Sequence, residues 1–385
     1  MTTWAVPYFD LELGEAERNA VTAVIASGWL SMGPQLQGFE RAFAHAHGLP
    51  AHGAVAVTNC TVALHLALAA LDVGRGDEVI VPAVTFVADA NAVVQCGAAP
   101  IFADLVGPDE WTIDPEDVAR KVTPRTKAII AVHYAGYPCR MGPLRALAAA
   151  RGLRLIEDAA HAPGVRGDDG HFLGTTGDVG CFSFFSNKNM TTGEGGMVVS
   201  RDEGVLERLR AQRSHGMTSS SYERFRGRGF SYDVVTPGFN YRMDEMRAAL
   251  GRVQLERLPA GNAARRRLVL QYRQLLADRA PEVHVPFADR DGEHAYHIFP
   301  VLLPRGVDRD DIMQRMAARG VQTSIHYRPI PSFRAYAGPD HHLPVTEAIA
   351  PRILSLPLYP TLARAQLELV VDALVAAVAG ASRAA

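Results

Sequence analysis

Between about residues 50 and 200 the chain alternates short apolar runs with stretches of helical period, and few folds accommodate that rhythm. Residues 54–57, 78–81, 101–102, 128–132 and 154–156 each read as a short buried strand. Helix-period segments lie between several of them, such as 62–71, where Leu64, Leu68 and Leu71 recur on one face. Two more strands follow closely at 179–185 and 196–200. Strand–helix–strand repetition predicts an α/β fold, a mostly parallel sheet covered by helices on both faces.

The pattern changes after about residue 255. Residues 254–280 read as one or more long, charged helices. A strand is expected at 296–303, a helix opening at the cap Asp308-Arg309-Asp310-Asp311, a strand at 321–327 and a last helix over 364–379. The chain therefore divides into a large domain, 1–255, and a smaller C-terminal α+β domain, 256–385.

Composition removes several function classes. The formal net charge is -2, and the one basic cluster, Arg265-Arg266-Arg267, is most simply a solvated helix face, so neither nucleic acid nor an anionic membrane is an expected partner. The four cysteines, Cys60, Cys96, Cys139 and Cys181, form no C-x-x-C pair, and Cys96 and Cys181 read as small buried hydrophobes. No stretch approaches the roughly 18 apolar residues of a membrane helix, and the first ten residues lack a signal-peptide pattern. A cytoplasmic protein is the expectation. Fourteen histidines supply no H-x-x-x-H pair, so no metal site is expected.

In an open parallel sheet, ligands bind beyond the carboxyl ends of the strands. At the first such end, Thr58-Asn59-Cys60-Thr61 opens a helix whose free amides favour an anion, although Thr58 or Asn59 simply capping the helix accounts for the stretch by itself. Asp158 follows an apolar strand directly, and His161 stands three residues on; an N-cap with a satisfied histidine explains these equally well. Lys188 is the only lysine after Lys127, in a stretch where every other permanent cation is Arg. A desolvated lysine can lose its proton and attack a carbonyl, which arginine cannot. Phe86, alone, reads as core. Together these residues match the needs of pyridoxal phosphate: a Schiff-base lysine, a carboxylate for the pyridine nitrogen, a phosphate cradle around Cys60 and Thr61, and an aromatic ring to stack.

The chain resembles the DegT/DnrJ/EryC1/StrS family of sugar aminotransferases, within the fold-type-I pyridoxal-phosphate enzymes. The resemblance is carried nearly end to end by GWLSMGP (28–34), FERAFA (39–44), VTNCTVALHLAL (57–68), GDEVIVPAVTFVA (76–88), VTPRTKAI (122–129) and IEDAAHAPG (156–164). It continues through GDVGCFSFFSNKN (177–189), GEGGMV (193–198), GFNYRMDEMRAALG (238–251), TSIHY (323–327) and SLPLYP (355–360).

The resemblance implies that Lys188 forms the Schiff base and shuttles the proton, while Asp158 keeps the pyridine nitrogen protonated. His161 would bind near the phenolic oxygen, Ser183 with Cys60 and Thr61 would hold phosphate, and Phe86 would stack on the ring. Asn240 would reach the phosphate of the other subunit, which implies a homodimer with shared sites. Trp29, Ser31, Met32, His326 and Tyr327 are similar to residues lining a sugar-nucleotide site. Some members carry His in place of the lysine and are dehydratases; Lys188 predicts amino transfer instead.

The implied reaction is ping-pong. An amino acid, glutamate as in most relatives or glutamine as in some, leaves its amino group as pyridoxamine phosphate, and a nucleotide-linked 3- or 4-keto-sugar then takes it. A cyclitol or other carbocyclic ketone is the alternative acceptor. A non-catalytic regulator is a third reading, and the near-neutral charge and complete cofactor set oppose it.

Overall fold

A computed structural model describes residues 4–219, 222, 227, 231–290, 292–338 and 341–382. The strands are β1 (Ala54–Val57), β2 (Glu78–Pro82), β3 (Ala99–Ala103), β4 (Leu105–Gly107), β5 (Glu110–Ile113), β6 (Thr126–Val132), β7 (Arg154–Asp158), β8 (Val179–Ser183), β9 (Gly196–Val199), β10 (Phe299–Leu302) and β11 (Ile353–Leu356). Seven form the main sheet in the order β1-β9-β8-β7-β6-β2-β3. All run in one direction except β9, which pairs antiparallel with both β1 and β8. The expected α/β sheet is thus observed. Strands β1, β2, β8 and β9 are buried along their whole length, which is why they read as unbroken apolar runs rather than alternating ones.

Helices cover both faces. The helix Cys60–Ala70 buries Leu64 and Leu68 against one face, with Leu71 at its C-cap. Phe39 and Phe43, on the helix Pro34–Ala46, pack on Phe182 and Phe184 at the other. That helix lacks a side-chain cap of its own; Glu245 supplies one, accepting hydrogen bonds from the amides of Gly33, Gln35 and Leu36 at 2.8–2.9 Å.

Residues 254–280 belong to one 35-residue helix, Glu245–Arg279, which starts earlier than expected at the Asp244 N-cap and runs through Pro259. The boundary expected at 255/256 lies inside it. Its first half packs Ala248, Leu255 and Leu258 into the core beneath the main sheet, and its second half packs Leu268, Val269, Tyr272 and Leu276 into a second core around β10 and β11.

Several local expectations are corrected. Residues 321–327 form no strand: Val321 bridges to Val6 and Ser324 bridges singly to Ser355 of β11, before the segment passes on to the cavity with His326 and Tyr327. Arg265 is not on a solvated face: it is 4% exposed and donates to the carbonyls of His297 at 3.2 Å and Leu358 at 2.8 Å, while Arg266 and Arg267 stay outside. Cys181 is fully buried, but Cys96, at a helix C-cap, is only half-buried. Among the described residues no helix is long and apolar enough to cross a membrane.

Candidate active site

The carboxyl ends of β1, β2, β6, β7 and β8 open together onto a cavity of about 770 Å³. Cys60, Thr61, Phe86, Asp158, His161, Ser183, Lys188, His326 and Tyr327 all line it. Nine of the thirteen residues singled out in the sequence are therefore brought to one place, and they span 268 positions of the chain.

One wall is the N-terminus of the helix Cys60–Ala70. Asn59 is its cap, accepting from the amide of Val62 at 2.9 Å, so the cap and the anion site are both present and do not compete. The amides of Cys60 and Thr61 precede the first intrahelical bond and stand at the cavity wall. The turn can lie this close to β9 only because position 196 is glycine: a Cβ there would come within 2.6 Å of the Asn59 carbonyl and 2.9 Å of the Cys60 nitrogen.

Lys188 follows β8 on a turn closed by its amide donating to the carbonyl of Phe185 at 3.0 Å. Burial pushes its amine down to about 8, against the opposing pull of Asp158, Cys60 and Asp89. A neutral, nucleophilic amine is thus accessible near neutral pH. Asp158 ends β7, 7% exposed, and its Oδ1 accepts from the Ala160 amide at 2.9 Å. Burial raises its carboxyl, while the Ala160 amide and Lys188 restrain the rise.

Behind Asp158 lies Asp89, fully buried, its Oδ2 accepting from Thr85 Oγ1 at 2.7 Å. Asp89 Oδ1, also buried, has no hydrogen-bond partner, and the two neighbouring carboxyl groups oppose each other's ionisation. Burial and then the charge of Asp158 push Asp89 well above the usual range, so Asp89 holds the proton and Asp158 the charge.

His161 has both ring nitrogens engaged. The Ala135 amide donates to Nδ1 at 3.2 Å, so the hydrogen sits on Nε2 and points to the Tyr327 hydroxyl oxygen at 2.9 Å. The phenolic hydrogen of Tyr327 remains for the cavity. Burial, then Lys188, holds His161 well below its ordinary value and the ring stays neutral. Phe86 is 55% exposed rather than core, because its ring is turned onto the cavity, 5.9 Å from Tyr327.

Four expected residues lie elsewhere. Asn240 is exposed and bridges through its backbone to Ser214. Met32 lines a second hollow of about 620 Å³, and Trp29 donates from Nε1 to the Met32 carbonyl at 3.2 Å. Ser31 sits exposed in the same loop. None of the four lines the Lys188 cavity of its own chain, since the loops carrying them do not follow main-sheet strands.

The sequence reading missed Asp89 and His297. A buried acid in an apolar helix, four residues after Thr85, is a signal that single-sequence reading can use. His297, 3.5 Å from the Lys188 amine, is brought in by tertiary folding and carries no local signal. Among the described residues no group of three or more His, Cys, Asp or Glu is arranged to hold a metal ion.

The donor set suits pyridoxal phosphate on structural grounds: a depressed lysine, a charged carboxylate backed by a neutral acid, and open helix amides beside the Ser183 hydroxyl. Comparison with known proteins agrees. The chain is 38% identical over 387 aligned residues to the spore coat polysaccharide biosynthesis protein SpsC of Bacillus subtilis (strain 168), covering 98% of each. It matches the aminotransferase TlmJ of Streptoalloteichus hindustanus at TM-score 0.90 and 36% identity, covering 98% of this chain and 100% of that one. A protein of Streptococcus pneumoniae described as a sugar aminotransferase, solved with PMP and with PLP, matches at 27% identity; the PMP form gives TM-score 0.90 over 98% of this chain and 100% of that one. The sequence model of one family matches residues 11–375, nearly the whole length. The chain belongs to the DegT/DnrJ/EryC1/StrS aminotransferase family.

Proposed function

We propose that the protein moves an amino group from an amino acid, glutamate first among candidates, to a nucleotide-linked 3- or 4-keto-sugar, using pyridoxal phosphate held on Lys188. The observation that carries this is the Lys188 amine, depressed to about 8, in one cavity with Asp158 and the open amides of Cys60 and Thr61. A sugar acceptor is supported by what the B. subtilis and S. pneumoniae relatives are described as doing.

Bound here, the cofactor supplies an electron sink that lets an amino group pass between two substrates. Lys188 Nζ is the covalent anchor and, when free, the base that takes and returns the proton at the reacting carbon. Asp158, kept charged by its neutral neighbour Asp89, would hold a proton on the cofactor's ring nitrogen. The Cys60 and Thr61 amides and the Ser183 hydroxyl would bind phosphate, and Phe86 would stack on the ring. Tyr327, oriented by His161, offers its hydroxyl to an oxygen in the cavity.

The exposed Asn240, off its own cavity, fits a role in a second subunit's phosphate site, and the loop 29–33 fits one at a substrate pocket completed across that interface. A homodimer in the cytoplasm is the working assembly.

Purified protein loaded with pyridoxal phosphate is expected to be yellow, to bleach with borohydride and to carry the adduct on the Lys188 peptide. Turnover is then measured with nucleotide keto-sugars and with inosose-type ketones, each with glutamate or glutamine. Activity on the carbocyclic ketones alone would reassign the acceptor. Absence of the Lys188 adduct would remove the proposal.

A further inference from the structure

His297 lies two residues before the start of β10 and 109 positions from Lys188, yet its Nε2 stands 3.5 Å from the Lys188 Nζ. What that nitrogen can do depends on which ring nitrogen carries the hydrogen, and the neighbours decide it. Asn262 donates from Nδ2 to the Pro163 carbonyl at 3.1 Å, so its Oδ1 is the atom that accepts from Asn189 Nδ2 at 2.8 Å. Asn189 Nδ2 also donates to the Ala295 carbonyl at 2.6 Å. With both amide hydrogens committed, the Asn189 atom 3.0 Å from His297 Nδ1 is the oxygen. An amide oxygen only accepts. Nδ1 of His297 therefore holds the hydrogen, and Nε2 presents a bare lone pair to Lys188.

A second proton on this ring is opposed from every side. Burial first, then the positive charges of Lys188 and Arg265, hold His297 well below its ordinary value. Arg265 also fixes the backbone, donating to the His297 carbonyl at 3.2 Å. The ring is neutral, of known tautomer, and pinned.

We propose that His297 is a positioning residue for Lys188: its Nε2 accepts a hydrogen bond from the Lys188 amine, and the Asn262–Asn189 amide chain keeps that lone pair available. The inference rests on the reading of Lys188 as the reacting amine. One N–H of Lys188 is drawn toward His297, which fixes the rotation of the amine and leaves its remaining valences for the cavity. Because an acceptor binds an ammonium more strongly than an amine, His297 also holds the Lys188 titration up against burial. The charge of Asp158 faces the same amine and acts in the same direction, while the protonated Asp89 and Cys60 and the neutral rings of His161 and His326 add no charge.

The test uses the full chain without cofactor, reacted with an amine-acylating reagent across a pH series. Modification of Lys188 is followed by peptide mass spectrometry, which is simple in a chain with three lysines. The labelling midpoint should fall by about one unit in His297→Phe, the size expected for one lost hydrogen bond to a charged group. His297→Gln, whose Oε1 can accept, should restore most of it. Asn189→Ala frees the tautomer and should also lower the midpoint. Nitrogen-15 histidine spectra should show the hydrogen on Nδ1 in the wild type and a mixture of the two neutral tautomers in Asn189→Ala.

An unmoved or raised midpoint in His297→Phe and Asn189→Ala overturns the role of His297. If His297→Phe fails to fold by circular dichroism, Asn189→Ala against His297→Gln decides the matter. The two readings fail separately: a wild type that forms no borohydride-trapped adduct on Lys188 refutes the cofactor assignment, whereas a loaded wild type with unmoved midpoints in the variants refutes only His297.

Discussion

Nε2 of His133 donates to Oε2 of Glu157 across 2.8 Å, with neither side chain exposed to solvent. The Cys139 amide donates to Nδ1 of His133 and so places the hydrogen on Nε2. Glu157 also accepts from the amides of Gly174, Thr176 and Gly177 at 2.6–2.9 Å. Glu157 immediately precedes Asp158 on β7, so this network holds the strand end that presents the Asp158 carboxylate to the cavity. Glu157→Ala strands His133 and three amides, and should cost about 3 kcal/mol in urea unfolding. Burial works to raise the Glu157 carboxyl, but the His133 bond and the amides outweigh it and the net shift is downward. The folded state therefore binds this proton less readily than the unfolded chain. The stabilisation is complete above the ordinary carboxyl value of about 4.3 and is lost as pH falls below it. The variant's deficit should shrink in acid by the same amount.

Asp89 has the opposite sign. Its folded carboxyl is raised, so its contribution to stability is full below the unfolded value of about 3.9 and declines as pH climbs above it. Asp89→Asn keeps a neutral donor toward Asp158 and an acceptor for Thr85 without the ionisable proton. Its stability relative to wild type should grow as pH rises from 4 toward neutrality. Asp89→Ala removes the same ionisable group but also orphans the Thr85 hydroxyl, so it should follow the same pH trend displaced downward by about 2 kcal/mol. Thermal melts across a pH series distinguish the two.

Lys188→Ala should abolish the borohydride-stable adduct and lower kcat by at least about 10³-fold, in line with the loss of an anchored general base. Asp158→Ala should lose far more rate than cofactor affinity, by at least about 10²-fold in kcat. Equal turnover in Asp158→Ala and wild type would contradict its role at the ring nitrogen.

Gly196→Ala tests the phosphate cradle. The added methyl meets the Asn59 carbonyl and displaces the first turn of the helix Cys60–Ala70. Pyridoxal phosphate affinity, read by fluorescence titration, should weaken about tenfold while pyridoxal without phosphate is little affected.

The proposed role of Asn240 in a partner subunit's site makes a mixing prediction. Lys188→Ala and Asn240→Ala homodimers should each be nearly inactive. Subunit exchange between them creates hybrids with one complete site, so an equal mixture should recover roughly a quarter of wild-type activity. No recovery, with exchange verified by mass, would place Asn240 in its own subunit's chemistry or outside it.

Much of the site was legible because the main sheet converts sequence position into spatial position. Cys60, Phe86, Asp158 and Ser183 each end or follow a strand, and the strands are parallel, so one rule locates all four. Lys188 stood out by composition. What the sequence withheld was tertiary in origin. His297 reaches Lys188 from the second half of the chain, with Arg265 bonded to its carbonyl, through contacts with no periodic signature. The segment 321–327 has the composition of a strand, but it finds only single bridges before passing on to the cavity. Trp29, Ser31, Met32 and Asn240 were named from resemblance, and no strand end fixes where they point.

The helix Glu245–Arg279 has a consequence for how the molecule fails. Leu255 and Leu276 sit on one continuous rod, the first in the core under the main sheet and the second in the core around β10 and β11. Neither core can melt without fraying the rod that the other depends on. Heat or denaturant should take the chain down in a single cooperative transition, and a truncation at residue 255 should yield two insoluble fragments rather than two modules.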